Sequence, residues 1–469
     1  MTQTYVSPFA ERYSSKEMLA VFSPDRKFRT WRRLWIALAR EERRLGLRRI
    51  TPEAIRDMEA RADDVDYEAA RRYEERLKHD VMAHIRAYED QAPRARGIIH
   101  LGATSMYVVD NTDLVLMREA CDILIRELAN VIAALAGFAE KYAELPTVAF
   151  THFQPAQYTT VGKRACLWIQ DLLMDLDEME ERRRSLLFLG VKGTTGTQAS
   201  FLALFDGDES RVKRLDAAVT RAMGFSKACP VAGQTYSRKV DAQAHAALAG
   251  IAMSAHKFAN DLRLLQHLHE VMEPFGREQV GSSAMAYKRN PMKSERMTSL
   301  ARFVITLSQN AAFTAASQWF ERTLDDSAGK RIAIPEAFLA TDAVLQLYLE
   351  LASGLVVNPE AVRAGVEREL PAIATENILM EAVKAGGDRQ ELHERIRRHT
   401  MEGRVEGLLE RLKNDGAFKA VRGRLEKMLR PEEYVGRSPS QVREFLRDEV
   451  KPRLKRHRKA LGLKSEVKV

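Results

Sequence analysis

The 469-residue sequence contains few cysteines, few aromatic residues and few strand patterns. Its three cysteines lie far apart and are odd in number, so they imply neither a disulfide framework nor a zinc knuckle. Aromatic residues make up 7% of the chain, and only the segment 147–153, TVAFTHF, suits a strand. The N-terminus lacks a basic start followed by an apolar run, and no uninterrupted apolar stretch approaches membrane-spanning length. We therefore expect a cytoplasmic protein without a membrane partner.

Basic residues exceed acidic ones, 74 against 65, which gives a formal net charge of +9. On a chain of this size the excess is mild, and it suits an anionic substrate or nucleic acid. Because charge runs are most often solvated helix faces, we interpret the basic tail as a helix or a frayed end, with nucleic-acid binding as the lesser alternative. The basic residues of the tail are Lys451, Arg453, Lys455, Arg456, Arg458 and Lys459.

Helical patterns fill most of the chain. Ser23-Pro24-Asp25 predicts a helix start, because it combines a capping side chain, a proline that needs no N–H there and an acid near the positive end of the helix dipole. Residues 113–144, 156–189 and 237–272 predict helices well above the average length. Helices this long need partners along their whole extent, which indicates an elongated bundle. The apolar segment 247–255 is most easily buried in an oligomer.

The sequence therefore predicts an all-α fold in three domains. The N-terminal helical domain spans residues 1–104, the central long-helix bundle residues 105–357 and the C-terminal helical domain residues 358–469. The second boundary falls at VVNPEAV, where the long-helix pattern breaks and shorter helices begin.

The loop 281–295, GSSAMAYKRNPMKSE, has the residue types needed to stabilise a negative charge. Gly281 before Ser282 lets a loop present a hydroxyl and successive backbone N–H groups to one anion. Lys288 and Asn290 add a charge and an amide donor, which suits a reaction that develops negative charge. The alternative is a polar loop that only turns the chain between two helices.

This loop resembles the signature loop of the fumarase/aspartase superfamily, Gly-Ser-Ser-x-Met-Pro-x-Lys-x-Asn-Pro, with Ala286 in place of the proline. THFQPAQ at 151–157 and HLGATSMYVVDNTD at 100–113 resemble the other two motifs of the superfamily. SPFAERYSS, KHDVMAH, VKGTTGTQASF, GQTYSRKVD and QWFERTLDDSA are similar to segments of the adenylosuccinate lyases, the animal-type branch in particular. The resemblance covers nearly the whole chain and fades after about residue 400.

The resemblance implies both the architecture and the reaction. It implies a fumarase/aspartase-like fold whose long helices form the core of a homotetramer with shared active sites. It also implies a carbon–nitrogen lyase of purine biosynthesis, which releases fumarate from adenylosuccinate to give AMP. The second substrate is succinyl-aminoimidazole carboxamide ribotide, which gives AICAR. No metal or other cofactor is needed, because the reaction involves neither redox change nor an external nucleophile.

The resemblance further implies a role for each site residue. Ser282 is the base, with Ser283 as the second candidate, and its deprotonated form depends on stabilisation by the loop. His152 is the general acid and Glu295 its carboxylate partner, while Lys288 and Asn290 stabilise the intermediate. The phosphate end of the substrate is bound by Arg12, Tyr13, Arg322, Ser327 and Arg331. The nucleoside and succinyl parts are bound by Lys78, His79, Asp80, Thr104, Ser105, Gln234 and Arg296. Lys78 replaces the arginine usual in the family and so loses its bidentate geometry.

Other interpretations remain open. The chain is alternatively another lyase of the superfamily, acting on argininosuccinate or on fumarate and aspartate, or a non-catalytic helical scaffold. The segment VKGTTGT is not a nucleotide-binding P-loop, because it lacks the Gly-Lys-Ser/Thr ending and follows no strand. The histidine pairs 79 and 84, and 267 and 269, lack the spacing and acidic partners of a zinc helix.

Overall fold

The computed structural model describes residues 4–276, 278–403, 407–425 and 429–467, and most of these are helical. The helices are α1 Lys16–Val21, α2 Pro24–Arg44, α3 Pro52–Ala60, α4 Tyr67–Leu77, α5 Asp80–Gln91, α6 Ser105–Lys141, α7 Val161–Ser185, α8 Ala199–Leu204, α9 Glu209–Ala222, α10 Lys239–His267, α11 Met292–Ala316, α12 Asp326–Gly354, α13 Pro359–Lys384, α14 Arg389–Met401, α15 Leu408–Asn414, α16 Ser438–Phe445 and α17 Lys451–Arg456. The strands are β1 Pro146–Thr151, β2 Gln154–Thr160, β3 Val271–Met272 and β4 Val356–Val357.

Short-range signals set the ends of the N-terminal helices. Ser23 Oγ accepts a hydrogen bond from the Arg26 N–H at 3.2 Å, and Thr51 Oγ1 accepts one from the Ala54 N–H at 3.1 Å. Both side chains satisfy backbone donors that the first turn of a helix leaves open. Gly46 follows α2 with a φ of +110°, which favours glycine. The predicted start of α2 at Ser23-Pro24 is confirmed.

Five long helices, α6, α7, α10, α11 and α12, form the predicted bundle. The longest, α6, has 37 residues and so extends about 55 Å at 1.5 Å per residue. Leu128, Ile169, Leu248 and Leu345 are among the fully buried side chains that these helices direct inward. By length and composition α12 would suffice to cross a membrane, but 83% of its apolar window is buried inside the protein. We therefore interpret α12 as the core helix of the bundle.

The predicted start of the second long helix is wrong. Residues 156–160, predicted to begin a helix, belong to β2, which pairs antiparallel with β1 from Pro146↔Thr160 to Thr151↔Gln154. Thr160 Oγ1 accepts from the Lys163 N–H at 3.1 Å, so the helix α7 begins only at Val161. The hairpin is stabilised by contacts with distant residues, because Val148 and Tyr158 pack in a small core with Val366 of α13.

The other two long helices differ from prediction at their ends. The helix predicted from residue 113 begins eight residues earlier, at Ser105, and the one predicted over 237–272 spans Lys239–His267. After α10 the chain forms β3, which pairs with β4 through Val271↔Val357. The helix starts at Ser105 and Pro359 lie at the proposed domain boundaries, but the division into three domains stays a prediction.

The basic tail forms a short helix against α7. Arg453 contacts Asp177 at 2.8 Å, and both Arg456 and His457 contact Glu180, at 2.9 and 2.7 Å. The charge run is thus partly helical, as interpreted, but Arg453 and Arg456 pair with acidic residues of α7.

Candidate active site

The signature loop folds back on itself at Gly281. A Cβ atom at this position would lie 2.1 Å from the Lys288 carbonyl oxygen, so only glycine permits the close approach. The Asn290 Nδ2 group donates to the Gly281 carbonyl at 2.8 Å and closes the loop from its other end. Asn290 therefore shapes the loop in the described chain, in addition to its predicted contact with the intermediate.

Ser282 is the residue whose hydroxyl meets the backbone donors of the loop. Its Oγ accepts hydrogen bonds from the N–H groups of Ala284, at 3.3 Å, and Met285, at 3.1 Å. Donors of this kind favour the negatively charged form of an oxygen. The neighbouring Ser283 is exposed and makes no such bond among the described residues. The geometry favours Ser282 over Ser283 as the base.

Lys288, Asn290 and Glu295 line a wide cavity of about 850 Å³ beside the C-terminal half of α10. Within this chain Glu295 contacts Arg263, with 3.7 Å between the carboxylate oxygen and the guanidinium nitrogen. Glu295 does not contact His152 among the described residues. Its assignment as the partner of the histidine ring thus stays a prediction.

His152 lies at the tip of the β1–β2 hairpin and is exposed. His152 and Phe153 are the only residues between the paired Thr151 and Gln154, and both have positive φ, 53° and 57°. A two-residue hairpin turn with positive φ at both positions normally has asparagine or glycine there. Two bulky residues in the left-handed region are strained, and such strain is concentrated at functional sites.

Four of the predicted substrate-binding residues contact one another at the helix ends. The Arg331 guanidinium contacts the Asp80 carboxylate at 2.9 Å, and Ser105 Oγ lies 3.4 Å from His79 Nε2. These contacts bring together the starts of α5, α6 and α12. The predicted phosphate set and the predicted nucleoside set therefore adjoin through Arg331 and Asp80.

Lys78 and Thr104 lie next to this cluster in the chain. Lys78 ends α4 in the left-handed conformation, with a φ of 53°. Thr104 has an extended backbone and directly precedes α6. Lys78 is therefore the C-cap residue of α4 and Thr104 the N-cap residue of α6.

The start of α12 supplies most of the predicted phosphate set. Arg322, Ser327 and Arg331 line a cavity of about 300 Å³ between α2, α6 and α12. Arg322 Nη1 contacts the buried Asp326 carboxylate at 2.7 Å, which fixes the direction of its guanidinium. These three residues form one side of a cationic pocket.

Gln234 is held against the loop that contains Arg322. Its N–H donates to the Glu321 carbonyl at 3.0 Å, and its Nε2 donates to the Thr194 carbonyl at 3.1 Å. A Cβ at Gly233 would lie 2.5 Å from the Glu321 carbonyl oxygen, so this approach requires glycine. Three segments that are distant in sequence therefore meet at Gln234.

Arg12, Tyr13 and Arg296 form a third group at the start of α11. Both guanidinium carbons lie 5.9 Å from the centre of the Tyr13 ring. The next residue, Ser14, donates through its hydroxyl to the Leu339 carbonyl at 2.9 Å. This bond attaches the N-terminal segment to α12.

The contacts within one chain do not join all the predicted site residues. No hydrogen bond, ion pair or ring contact between described residues connects His152 to Ser282, or Ser282 to Arg331. In the described ranges, no group of three or more His, Cys, Asp or Glu side chains is arranged to hold a metal ion.

A buried ionic network beneath the cationic pocket was not predicted. Arg238 contacts Asp110 at 2.9 Å and Asp326 at 2.5 Å, while Lys330 contacts Asp110 at 2.8 Å and Asp113 at 2.7 Å. Burial alone would raise the pKa of Asp110, but the charges of Lys330 and Arg238 hold it below its ordinary value. The signal was partly present in the sequence, because Asp110, Asp113, Arg238 and Asp326 stand inside the motif segments that carry the family resemblance, whereas Lys330 lies two residues beyond the last of them.

Comparison with known proteins gives these groups a family context. Residues 52–306 match the family Lyase, and residues 371–445 match the family Adenylosuccinate lyase C-terminus. The chain is 50% identical to the adenylosuccinate lyase of Saccharomyces cerevisiae, over 98% of this chain and 97% of the yeast protein. It is 44% identical to that of Schistosoma mansoni, over 100% and 99% of the two chains.

The fold is shared with more distant lyases. The crystal structure of a fumarate lyase from Mesorhizobium sp. BNC1 superposes with a TM-score of 0.82 at 23% identity, over 95% of this chain and 100% of that chain. The all-α, fumarase/aspartase-like fold is confirmed. With full-length relatives at 44 and 50% identity, the chain belongs to the adenylosuccinate lyase family.

Proposed function

We propose that this lyase eliminates fumarate from adenylosuccinate, giving AMP, and from succinyl-aminoimidazole carboxamide ribotide, giving AICAR. The single observation that carries the proposal is full-length similarity to adenylosuccinate lyases, with the signature loop retained. We further propose that the enzyme acts in the cytoplasm in purine nucleotide biosynthesis.

The proposed chemistry begins at Ser282. Its oxygen removes the proton from the carbon beside a substrate carboxylate, and the electron pair left on that carbon delocalises into the carboxylate. The N–H groups of Ala284 and Met285 stabilise the deprotonated serine, because they already point at Oγ. Lys288 and Asn290 stabilise the doubly charged intermediate.

His152 completes the elimination. As the carbon–carbon double bond of fumarate forms, the carbon–nitrogen bond breaks, and the departing nitrogen takes a proton from the ring. Because His152 lies at an exposed hairpin tip, its ring can enter a site on the surface of another subunit. Glu295 would hold the ring there in place of its weak, exposed contact with Arg263.

We propose that each active site is assembled from several subunits of a homotetramer. Among the described residues of one chain, no hydrogen bond, ion pair or ring contact joins His152, the signature loop and the cationic pocket to one another. The bundle also exposes large apolar side chains: Met174 of α7 is 66% exposed, Phe313 of α11 70% and Ile332 of α12 65%. Surfaces of this kind favour association of subunits along the long helices.

The function is tested by the absorbance change on adding adenylosuccinate to the purified enzyme, with fumarate measured independently. We expect turnover by the wild type, and none with argininosuccinate. Ser282→Ala and His152→Ala are each expected to lower kcat by about 10²–10⁴-fold, because both residues act on protons in the transition state.

Both variants should bind AMP as the wild type does and unfold at the same temperature. Turnover of argininosuccinate in place of adenylosuccinate would refute the proposed substrate. Retention of more than about a tenth of kcat in either variant would refute that residue's role, since a general acid or base contributes at least about 10²-fold.

A further inference from the structure

The cavity at the start of α12 contains a lysine that no motif pointed to. Lys27 of α2 lines it together with Arg322, Ser327, Lys330 and Arg331. We propose that Lys27 is an additional binding residue for the phosphate group of the nucleotide. The proposal rests on the proposed function, because it places a phosphate in this pocket.

The other cations of the pocket are neutralised by the protein, but Lys27 is not. Arg322 contacts Asp326, Arg331 contacts Asp80, and Lys330 lies between two carboxylates. Lys27 makes no ion pair within the described ranges. An ammonium group without a carboxylate partner, in a pocket shared with three other cations, is arranged to receive an anion.

Aromatic rings hold the ammonium in this position. Lys27 Nζ lies 5.1 Å from the centre of the Phe28 ring and 5.3 Å from that of Trp31. Cation–π contacts of this kind orient an ammonium but leave its charge available to a ligand. The side chain is thus directed without being neutralised.

The electrostatics of the pocket favour an anion. Four cations line it, together with the carboxylates of Asp113 and Asp326. Adding Asp80, Asp110 and Arg238, which pair with these groups, gives five cations against four carboxylates and so one excess positive charge. Burial lowers the pKa of Lys27; Asp113 offsets part of this, while Arg331 adds repulsion. A bound phosphate monoester would relieve the repulsion between the cations, whereas a neutral nucleoside would not.

The two parts of the ligand can therefore be tested separately. We expect Lys27→Met to weaken AMP binding about 10- to 100-fold, the range for loss of one charge-assisted hydrogen bond, and to leave adenosine binding unchanged. The KM for adenylosuccinate should rise by a similar factor with little change in kcat. Lys27→Arg, which keeps the charge, should retain most of the affinity.

Arg29→Met is the matched control. Arg29 is on the same helix and contacts Asp25 at 3.4 Å, outside the pocket lining. The Arg29→Met substitution removes one positive charge from α2, as Lys27→Met does, and should leave AMP affinity unchanged. The proposal would be overturned if Lys27→Met bound AMP within twofold of the wild-type affinity. It would also be overturned if AMP and adenosine binding were weakened equally, because that result indicates a purely structural role. If the methionine variant fails to fold, Lys27→Gln is held to the same criteria.

Inorganic phosphate separates this proposal from the proposed function. Phosphate should raise the unfolding temperature of the wild type and of Arg29→Met, but not of Lys27→Met. If the wild type is protected in this way yet releases no fumarate, the anion site stands and the assigned reaction fails. If fumarate is released but Lys27→Met is protected equally well, the reaction stands and the role of Lys27 fails.

Discussion

Ala286 lies in a tight turn of the signature loop. The Lys288 N–H donates to the Met285 carbonyl at 3.1 Å, so residues 285–288 form a turn with Ala286 at its second position. Proline is favoured at that position, because its fixed φ suits the turn and the hydrogen bond of the turn does not use the backbone N–H of the second residue. The proline of the family pattern is therefore compatible with this loop.

We expect Ala286→Pro to stiffen the unliganded loop. A proline whose φ fits the ordered loop stabilises that loop by about 0.4–1 kcal/mol, because it reduces the number of conformations open to the disordered loop. Hydrogen exchange in the loop should slow in the absence of ligand, and the KM for adenylosuccinate should fall by up to about fivefold, the equivalent of that free energy.

Ala284→Pro is the control for this substitution. It removes the N–H that donates to Ser282 Oγ and should therefore lower kcat. Unchanged hydrogen exchange and unchanged kinetics in Ala286→Pro would show that the missing proline is neutral.

At the scale of elements, two buried carboxyl groups join α6 to α12. Asp342 accepts hydrogen bonds from the N–H and the hydroxyl of Ser15, both at 2.7 Å, and Gln346 donates to Glu127 at 2.6 Å. Burial raises the pKa of Glu127 well above 4.5, and the neighbouring Asp342 raises it further. Burial also raises the pKa of Asp342. We therefore expect the pair to hold a proton to higher pH in the folded protein than in the unfolded chain.

This retained proton makes stability depend on pH. Because the folded-state pKa of Glu127 is raised, its protonated carboxyl group contributes to the free energy of unfolding. This contribution is fully present below about pH 4.5, the ordinary pKa of a glutamate, and is lost as pH rises through the folded-state pKa. Each pH unit in that window costs at most about 1.4 kcal/mol per proton. Glu127→Gln should therefore lose less stability than the wild type on going from pH 5 to pH 8.

The measurement is the free energy of unfolding at each pH, as the difference between variant and wild type. Glu140→Gln, on the same helix but exposed and 4.0 Å from Lys451, should keep the wild-type pH dependence. A constant difference between Glu127→Gln and wild type across this range would mean that Glu127 releases its proton in the folded protein.

At the scale of the whole molecule, the separation of the site residues within one chain leads to a complementation test. Ser282→Ala and His152→Ala subunits are each expected to be inactive alone. After verified subunit exchange, mixed tetramers should regain part of the activity, because some sites receive both intact residues from different chains.

Mixing Ser282→Ala with Lys288→Ala is the control. Both substitutions alter the same loop of one chain, so no mixed site receives an intact loop, and activity should stay absent. Equal recovery in the two mixtures, or a monomer by sedimentation, would contradict shared active sites.

The capped helix starts at Ser23 and Thr51 and the motif identities follow from the sequence alone. Ser23 and Thr51 cap helices through bonds to residues three positions away, so their signals are local and readable. The signature loop is equally local, since Ser282 meets its backbone donors within three residues. The long apolar patterns determined the all-α bundle for the same reason, because helical periodicity repeats within a few residues.

Only the tertiary structure decided which segments meet. The strand β2 depends on pairing with β1 and on burial of Tyr158 against α13, and neither contact appears in its own helix-compatible sequence. Lys27 lies about three hundred residues from Arg331 in sequence, yet both line one cavity. Such groupings follow from packing and charge compensation between distant residues, which periodicity and motif spacing do not encode. The sequence thus determined the long helices and the chemical groups, and the folded chain determined the hairpin and which of those groups act together.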